Sequence, residues 1–585
     1  MEYLSARCQS SQKTAAIEHE IMRRKIEQHK ALQTKHSEAA FLLTRRLNQL
    51  IPVAQLPSEI LAEIFYLYAI DCFYSHRNIR NGQHAEEAIK WTAVSRVCNY
   101  WRNITLSFPR LWSNIAVYNL DYLTTCISNS ANTPLSIFID DQNKPGNANG
   151  TQLLRYLATL AEHVDRIQSL HLSTKTPFSS NTLSPWDRVS AAPILTSLTL
   201  NSQPIIDRLQ CIALRKFLQH TNTPLLRHLD ISDDNYDWVN SCYPQTLIKL
   251  EIKYCDGDCT PYTEDSGYLS NALKIFDTLP LLQDLIIIDA FPSPSELKYE
   301  LRGRTTLPNL KAINLYGWGP PIMQLYSRLV IPSEARVRLS LRYYVEEGWS
   351  EQHAQITRWI FSHLKSDTDN SPIQVILSSD LPFCDDKDIT ILVWTAVPNI
   401  TLPSGTITWS WPSLCSLDVS ISPEVIDYEA EEDEFEWDPF LSQLGSEIPL
   451  DRLDTLVIED LESPLHLLRS ISMSSRLRHI YLDSHAGLRG LLDVFGMEDG
   501  GTFPALRSLE ISHLMTTKSG EEKSDGYDNL EELCNLLQKL KESGRESLSI
   551  ILRAKRFQPQ SRLGRIVISL KSLANSFDHK IRSSG

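Results

Sequence analysis

The sequence predicts a multidomain α+β fold: an N-terminal helix and a three-helix domain, followed by an α/β solenoid with a curved parallel sheet. Three observations support this. Apolar residues recur at helical spacing over 12–50, residues 51–112 contain two helices rich in apolar side chains, and a short leucine pattern then repeats as far as Ile511. Because 585 residues exceed what one compact core accommodates, we divide the chain into the following segments: 1–50, 51–112, 113–560 and a C-terminal tail, 561–585.

The composition narrows the functional class. An apolar fraction of 42% is ordinary for a folded protein, and the net charge of −14 disfavours a general nucleic-acid binder, because phosphate contact requires a positive field. No apolar run approaches the roughly 20 residues that span a bilayer. Met1–Ser11 is polar and lacks the apolar stretch that a secretory signal peptide requires. We therefore expect a cytoplasmic or nuclear protein that binds neither nucleic acid nor membrane, with its eleven cysteines reduced.

The first helix is predicted over 12–50. Ile17, Ile21, Met22 and Ile26 have helical spacing, and the apolar content rises again near the end of the segment. Two interpretations stay open at this point: a short coiled coil, or a solvated helix that docks at its C-terminal end.

The second helix begins near Ser58, a residue suited to capping, and Glu59 lies in its first turn, where the helix dipole favours a negative charge. Two apolar stripes follow side by side. One consists of Ile60, Ile64 and Leu67, and the other consists of Leu61, Phe65 and Tyr68. A helix with so wide an apolar face must be buried from two sides. In so short a domain, we expect a partner protein to cover one of them.

A polar loop is predicted over Ser75–Glu87, and a further helix follows it. The apolar residues of this helix lie three and four positions apart: Trp91, Val94, Val97, Cys98, Trp101 and Ile104. A short third helical turn is predicted at Pro109–Trp112, with the proline near its first position.

These segments together resemble the F-box. The resemblance lies in Leu56-Pro57-Ser58-Glu59-Ile60-Leu61, Val94–Arg102 and Pro109-Arg110-Leu111-Trp112, and it is closest to the fungal type with a long insert, here roughly Phe73–Ile89. Such proteins bind the Skp adaptor of cullin–RING ubiquitin ligases. The resemblance implies the following adaptor contacts, some of which must instead close the domain's own core: Leu56, Pro57, Ile60, Leu61, Ile64, Val94, Val97, Cys98 and Trp101.

A Leu-x-x-Leu-x-Leu pattern, often preceded by proline, recurs beyond Trp112. Its copies end at the following residues: Leu172, Leu200, Ile231, Ile252, Ile287, Leu315, Val419, Ile458, Leu482 and Ile511. Weaker candidates are Asn114–Val117, Leu135–Ile139, Val337–Leu341 and Ile373–Leu377. The alternation predicts a strand with its leucines facing a core, and helical stretches separate the copies. The pattern resembles degenerate leucine-rich repeats.

Each copy is predicted to expose the residues between its strand leucines on the concave sheet face, where solenoids usually bind partners. These residues are Ser169, His171, Thr199, Asp230, Glu251, Asn314, Asp418, Tyr481 and Glu510. For any one of them, the alternative is a merely solvated strand residue, so the substrate-binding residues stay unknown.

Other groups of residues indicate no chemistry of their own. Asp427–Asp438 is an acidic run that suits either a flexible insertion or a basic partner anchored by Phe435 and Trp437. A group of cysteines and aspartates (Cys242, Cys255, Cys259, Asp256 and Asp258) lacks the paired spacing of a zinc site. The sequence contains no nucleotide-binding, metalloprotease or nucleophile-elbow motif, so we expect neither an enzyme nor a cofactor.

Two functions of different class remain, besides an enzyme with a site assembled from distant residues. The first is a substrate-recognition subunit of an SCF-type ligase, with the Skp adaptor and cullin scaffold as partners and an unknown protein as substrate. The second is an interaction scaffold built on a leucine-rich-repeat solenoid that assembles no ligase.

Overall fold

The computed structural model folds into two compact units, Met1–His171 and Leu172–Gly585. It describes the following residues: 2–77, 88–140, 150–174, 186, 189–202, 222–232, 243–253, 268–291, 303–332, 335–344, 357–358, 373–378, 389–394, 417–424, 438–459, 461, 464–497, 502–512, 525–542, 548–554 and 562–581.

The first unit begins with helices and ends in strands. Its α-helices are α1 (Glu2–Gln49), α2 (Ser58–Arg77), α3 (Asn99–Ser107), α4 (Leu120–Asn129) and α5 (Gly150–Ala161). Its 3-10 turns are Pro52–Gln55, Lys90–Arg96, Pro109–Trp112 and Val164–Arg166. Its strands are β1 (Asn114–Ala116), β2 (Leu135–Asp140) and β3 (Ile167–Thr174), the last of which contains the unit boundary.

The second unit contains both helices and strands, which alternate one by one from Asp438 to Ile581. Its α-helices are α6 (Tyr268–Asp277), α7 (Gly319–Arg328), α8 (Asp438–Glu447), α9 (Leu465–Ile471), α10 (His485–Met497), α11 (Asp525–Glu542) and α12 (Arg562–Leu573). Its earlier strands are β4 (Ser197–Ser202), β5 (His228–Ser232), β6 (Lys249–Lys253), β7 (Asp284–Ile288), β8 (Thr305–Thr306), β9 (Ala312–Trp318), β10 (Leu329–Val330) and β11 (Arg336–Tyr344). Its later strands are β12 (Ile373–Ser378), β13 (Ile389–Trp394), β14 (Leu417–Glu424), β15 (Leu453–Glu459), β16 (His479–Leu482), β17 (Ser508–Ile511), β18 (Ser549–Ala554) and β19 (Ser576–Ile581).

The predicted mixture of helices and strands with a large parallel sheet is confirmed. Strands β4, β5, β6, β7, β9, β11 and β14 pair in parallel, each with the next. On β4, β5, β6, β7, β9 and β11, the first apolar residue of the alternating pattern lies opposite its counterpart on the neighbouring strand. These residues are Leu198, Leu229, Leu250, Leu285, Ile313 and Val337. All six side chains are buried, so one continuous apolar row runs across the sheet.

The middle of this sheet departs from chain order. Strand β11 pairs with β14 rather than β12, and β13 lies antiparallel between β14 and β12. Only residues 379–388 connect β12 to β13, whereas a parallel crossover needs a dozen or more residues. The short connection therefore favours an antiparallel pair. Parallel pairing resumes from β12 to β15 and continues to β19.

The predicted C-terminal tail, 561–585, is wrong. Helix α12 and strand β19 occupy most of this segment, and β19 pairs in parallel with β18. The helix buries Leu563, Ile566, Val567 and Leu570. These residues have helical spacing, but without the leucine pattern beside them they did not indicate another strand–helix unit.

The polar row between the strand leucines is less exposed than predicted. Glu251, Tyr481 and Glu510 are buried, and Ser169, His171, Thr199, Asp230 and Asn314 are half-buried, while the side chain of Asp418 lies outside the described residues. Strands about 4.8 Å apart bring long side chains against one another. Lys253 of β6, for instance, lies 3.9 Å from the carboxylate of Asp230 on β5, and within β6 Glu251 forms ion pairs with both Lys249 and Lys253.

An arginine joins three strands at their carboxyl ends. Arg342, on β11, forms an ion pair with Asp289, which follows β7. Its guanidinium also lies 5.3 Å from the ring centroid of Tyr316 and 5.1 Å from that of Trp318, both on β9. Gly317 adopts φ +145 between these rings, a conformation that favours glycine.

We predict that Leu570→Ala destabilises the last strand–helix unit, because it leaves a cavity under α12 that costs about 2–5 kcal/mol. Ile568→Ala is the matched control, since Ile568 is exposed on the same helix. Hydrogen exchange of the peptides covering α12 and β18 measures the effect. Equal protection in both variants would contradict the prediction, because it would show that the burial of Leu570 does not stabilise this strand–helix unit.

We also predict that Asp230→Asn stabilises the protein at pH 8. Burial raises the pKa of Asp230 to about 6, against an ordinary value of 3.8, and the nearby Lys253 only partly opposes this effect. Because the folded state holds this proton more tightly than the unfolded state, the stability of the wild type rises as the pH falls from about 6 towards 4. The gain at pH 8 is at most about 3 kcal/mol and disappears by pH 4. Denaturant unfolding at the two pH values measures it, and a destabilised variant at pH 8 contradicts the prediction.

Candidate protein-docking site on the N-terminal helices

The two adjacent apolar stripes of α2 differ in exposure. Leu61 and Phe65 are buried, whereas Ile60, Ile64 and Leu67 are 50%, 46% and 58% exposed. We call Ile60, Ile64 and Leu67 the exposed stripe. Residues three and four apart lie on one side of a helix, so the exposed stripe is one continuous apolar strip.

Aromatic contacts fix the buried side of α2. The ring centroid of Phe65 lies 4.8 Å from that of Trp101 on α3. Trp91 packs edge-on against Trp112 at 5.0 Å, and Trp112 donates its Nε1 proton to the carbonyl oxygen of Thr105 at 2.8 Å. Trp91 and Trp112 are buried and therefore form the centre of the small domain, while Trp101 is half-buried beside Phe65.

Further contacts tie both neighbouring segments to α2. Tyr100 Oη donates a hydrogen bond to the carbonyl oxygen of Leu56 at 3.5 Å, just ahead of the helix. The guanidinium of Arg110 lies 4.1 Å from the ring centroid of Tyr66, and Phe108 approaches the same ring edge-on at 6.4 Å. The orientation of the exposed stripe is thus set by contacts along the length of α2.

The helix is longer than the sequence indicated. Phe73, placed at the start of the insert, is a buried residue of α2 and shares a core cluster with Ala88, Ala116 and Phe138. The ring of Phe138 stacks on that of His171 at 4.3 Å. The end of α2 is therefore packed against strands β1 and β2, and the predicted loop Ser75–Glu87 is wrong at its first residues.

The helix predicted from the spacing of Trp91 to Ile104 is divided. Residues Lys90–Arg96 form a 3-10 turn and α3 begins at Asn99, with Cys98 between them in an extended conformation (φ −156). The sulfur of Cys98 accepts a hydrogen bond from the backbone N–H of Trp101 at 3.5 Å and so caps α3.

The nine implied contact residues fall into three groups. Pro57, Ile60, Ile64 and Val97 are exposed, Leu56, Val94, Cys98 and Trp101 are half-buried, and Leu61 is fully buried. Leu61 therefore holds α2 in place and has no surface to offer another chain. The exposed residues Leu67, Tyr68 and Tyr100 were absent from the implied set, although Leu67 and Tyr68 have the helical spacing that revealed the stripes.

Three titratable groups of the first unit have raised pKa values. The Cys72 thiol and partial burial raise the pKa of Tyr68, so its phenol stays protonated. Burial raises the pKa of Cys126 to about 12 and raises that of Tyr122 well above its ordinary value. Cys72, Cys98, Cys126 and Cys534 are not disulfide-bonded, and no group of three potential metal ligands occurs among the described residues.

Several predicted features lie outside the described residues. These are Cys242, Cys255, Asp256, Asp258 and Cys259, together with the acidic run except Asp438, which begins α8. Within the described ranges, no helix combines the length and apolar character needed to cross a membrane.

Comparison with models of known protein families found no match, and comparison with curated proteins found none either.

We predict that neighbouring substitutions on α2 have opposite consequences for stability. Leu61→Ala opens a cavity against the aromatic core and costs about 2–5 kcal/mol. Ile60→Ala changes the stability by less than about 0.5 kcal/mol, because its side chain is half exposed. Hydrogen exchange across α2 and α3 distinguishes them, and a large loss of protection in Ile60→Ala contradicts the two-sided arrangement.

Proposed function

We propose that the protein is the substrate-recognition subunit of an SCF-type cullin–RING ubiquitin ligase, docking on the Skp adaptor through an F-box formed by residues 51–112. The observation that carries the proposal is the exposed stripe. Ile60, Ile64 and Leu67 remain half exposed although the same helix buries Leu61 and Phe65 completely. An apolar strip on a rigidly held helix suits insertion into a groove of helices on another protein.

The energy of such a contact is sufficient for stable docking. Fully burying an aliphatic side chain contributes roughly 1.5–3 kcal/mol, and these three begin about half exposed. Together they supply several kcal/mol at the centre of an interface, where most binding energy is concentrated. Val97 and Tyr100, both exposed near the start of α3, extend the apolar area.

We further propose that the repeating part is a leucine-rich-repeat-like solenoid with a curved sheet that presents the target. Two observations support this arrangement: the in-register apolar row from Leu198 to Val337, and the alternation of helices and strands from Asp438 to Ile581. In this role the chain performs no reaction of its own. It holds a protein substrate, whose identity we leave open, near the catalytic subunits in the cytoplasm or nucleus.

The alternative is an interaction scaffold that keeps the same helices but assembles no ligase. The exposed stripe also suits another apolar partner, so adaptor binding separates the two functions.

The test is co-purification of the full chain with the Skp adaptor and cullin. We expect stoichiometric recovery of the adaptor with the wild type, and its loss with the double variant Ile60→Asp, Ile64→Asp, because two carboxylates cannot be buried in an apolar groove without a large penalty. Ile568→Asp is the matched control, since Ile568 is equally exposed on α12. It should retain the adaptor. A folded wild-type chain that never retains the adaptor overturns the ligase assignment and favours the scaffold.

A further inference from the structure

No other described part of the chain covers the side chains of helix α1 between Ile17 and Leu47, and the ion pairs Arg23–Glu27 and Arg24–Glu20 lie within the helix itself. Every side chain from Ile17 to Leu47 is exposed. The exposed residues include ten large apolar ones up to Leu50, among them Met22, Ile26, Leu43 and Leu47. Over residues 17–47 the helix therefore gains no stability from burying side chains in tertiary packing, which normally supplies most of the stability of a helix.

The sequence favours one coiled-coil seam on this helix, that is, one line of core positions along which the helix would contact a partner helix. Between residues 19 and 47, only one heptad phase places no Lys, Arg, Asp or Glu at its two core positions. Its core residues are His19, Met22, Ile26, His29, Gln33, His36, Ala40, Leu43 and Leu47. The apolar members of this seam are 52–66% exposed, apart from Ala40. The seam is about 43 Å long at 1.5 Å per residue.

The charges beside the seam are nearly all positive. The flanking positions hold Arg23, Lys25, Lys30 and Arg46, against a single acid, Glu18. The other acids of this stretch, Glu20, Glu27 and Glu38, lie at outer positions of the heptad. The flanking positions of a coiled coil set partner choice, so this segregation of charge specifies what covers the seam.

We propose that α1 forms a coiled coil with an acidic amphipathic helix of a different protein, one with glutamate or aspartate flanking an apolar seam. This partner goes beyond the ligase contact proposed for α2. The positive flanks of α1 then face negative ones, which favours association and excludes basic helices.

A second copy of this chain fits the seam poorly. In a parallel pair, Lys25 faces Lys30 of the second copy across the seam. In the antiparallel pair that joins Met22 to Leu47 and Ile26 to Leu43, Lys25 faces Arg46. Both arrangements place like charges together.

A lipid surface fits it poorly as well. The middle of the seam consists of His29, Gln33 and His36, so the apolar residues form two separate patches rather than one broad face. A helix that lies in the membrane interface needs a large apolar face. Polar residues at core positions are instead a usual device for fixing register between helices.

The test uses the full chain and two synthetic helical peptides that share one apolar seam, one flanked by glutamates and the other by lysines. We expect the glutamate peptide to bind at least tenfold more tightly at low salt, with affinity falling as salt rises. The charge-swapped variant Lys25→Glu, Lys30→Glu should reverse this preference. Leu43→Asp, Leu47→Asp should abolish binding, whereas Phe41→Asp, Leu42→Asp, matched in exposure on the same helix but off the seam, should retain it.

Circular dichroism confirms that each variant stays helical. Equal binding of both peptides, no binding of the glutamate peptide, or loss of binding in the off-seam control overturns the proposal. So does self-association of the chain that Leu43→Asp, Leu47→Asp removes, or tighter binding to anionic phosphatidylserine vesicles than to the glutamate peptide.

Discussion

The contact of Phe65 with Trp101 determines how the first unit presents itself to other proteins. With this side of α2 held against α3, the remaining apolar residues of the helix must point outward. The packing of Phe73 against Phe138 extends the constraint to the first strands. Side chains in a close-packed interior cannot shift without cost, so the exposed stripe is presented in one fixed orientation. A preorganised surface loses little entropy on binding, which favours its use as a docking element.

The second unit follows from a different constraint, the register of parallel strands. Each strand places its leucines against those of the next, as Leu250 does with Leu285, and a slip by one residue would move that row to the opposite face. The polar residues of the other face are then aligned as well. Crowding there buries Glu251 and raises the pKa of Asp230. The face is consequently a packed polar layer, on which side chains such as Thr199 and Asn314 remain half exposed.

Local patterns predicted the strands well, because the alternation that reveals a strand also buries it. Strands β5 and β16, for instance, lie where Leu229 and Ile480 indicated. What the patterns could not reveal depends on contacts between distant segments. The order of β12 to β14 is set by pairing partners, and the break at Cys98 by a cap that competes with helix continuation. In the docking site, periodicity identified both stripes of α2. It could not assign Leu61 to the core, because that assignment requires the position of Trp101.

The two unpartnered surfaces of the first unit differ in the charges beside them. The exposed stripe of α2 is accompanied by Glu59, Glu63 and Asp71, all exposed, whereas the seam of α1 is flanked mainly by arginine and lysine. A partner whose rim complements one surface repels the other, since specificity depends as much on mismatched charge as on apolar fit. The two surfaces therefore select different partners. The acids beside the exposed stripe and the bases beside the seam thus favour rims of opposite charge.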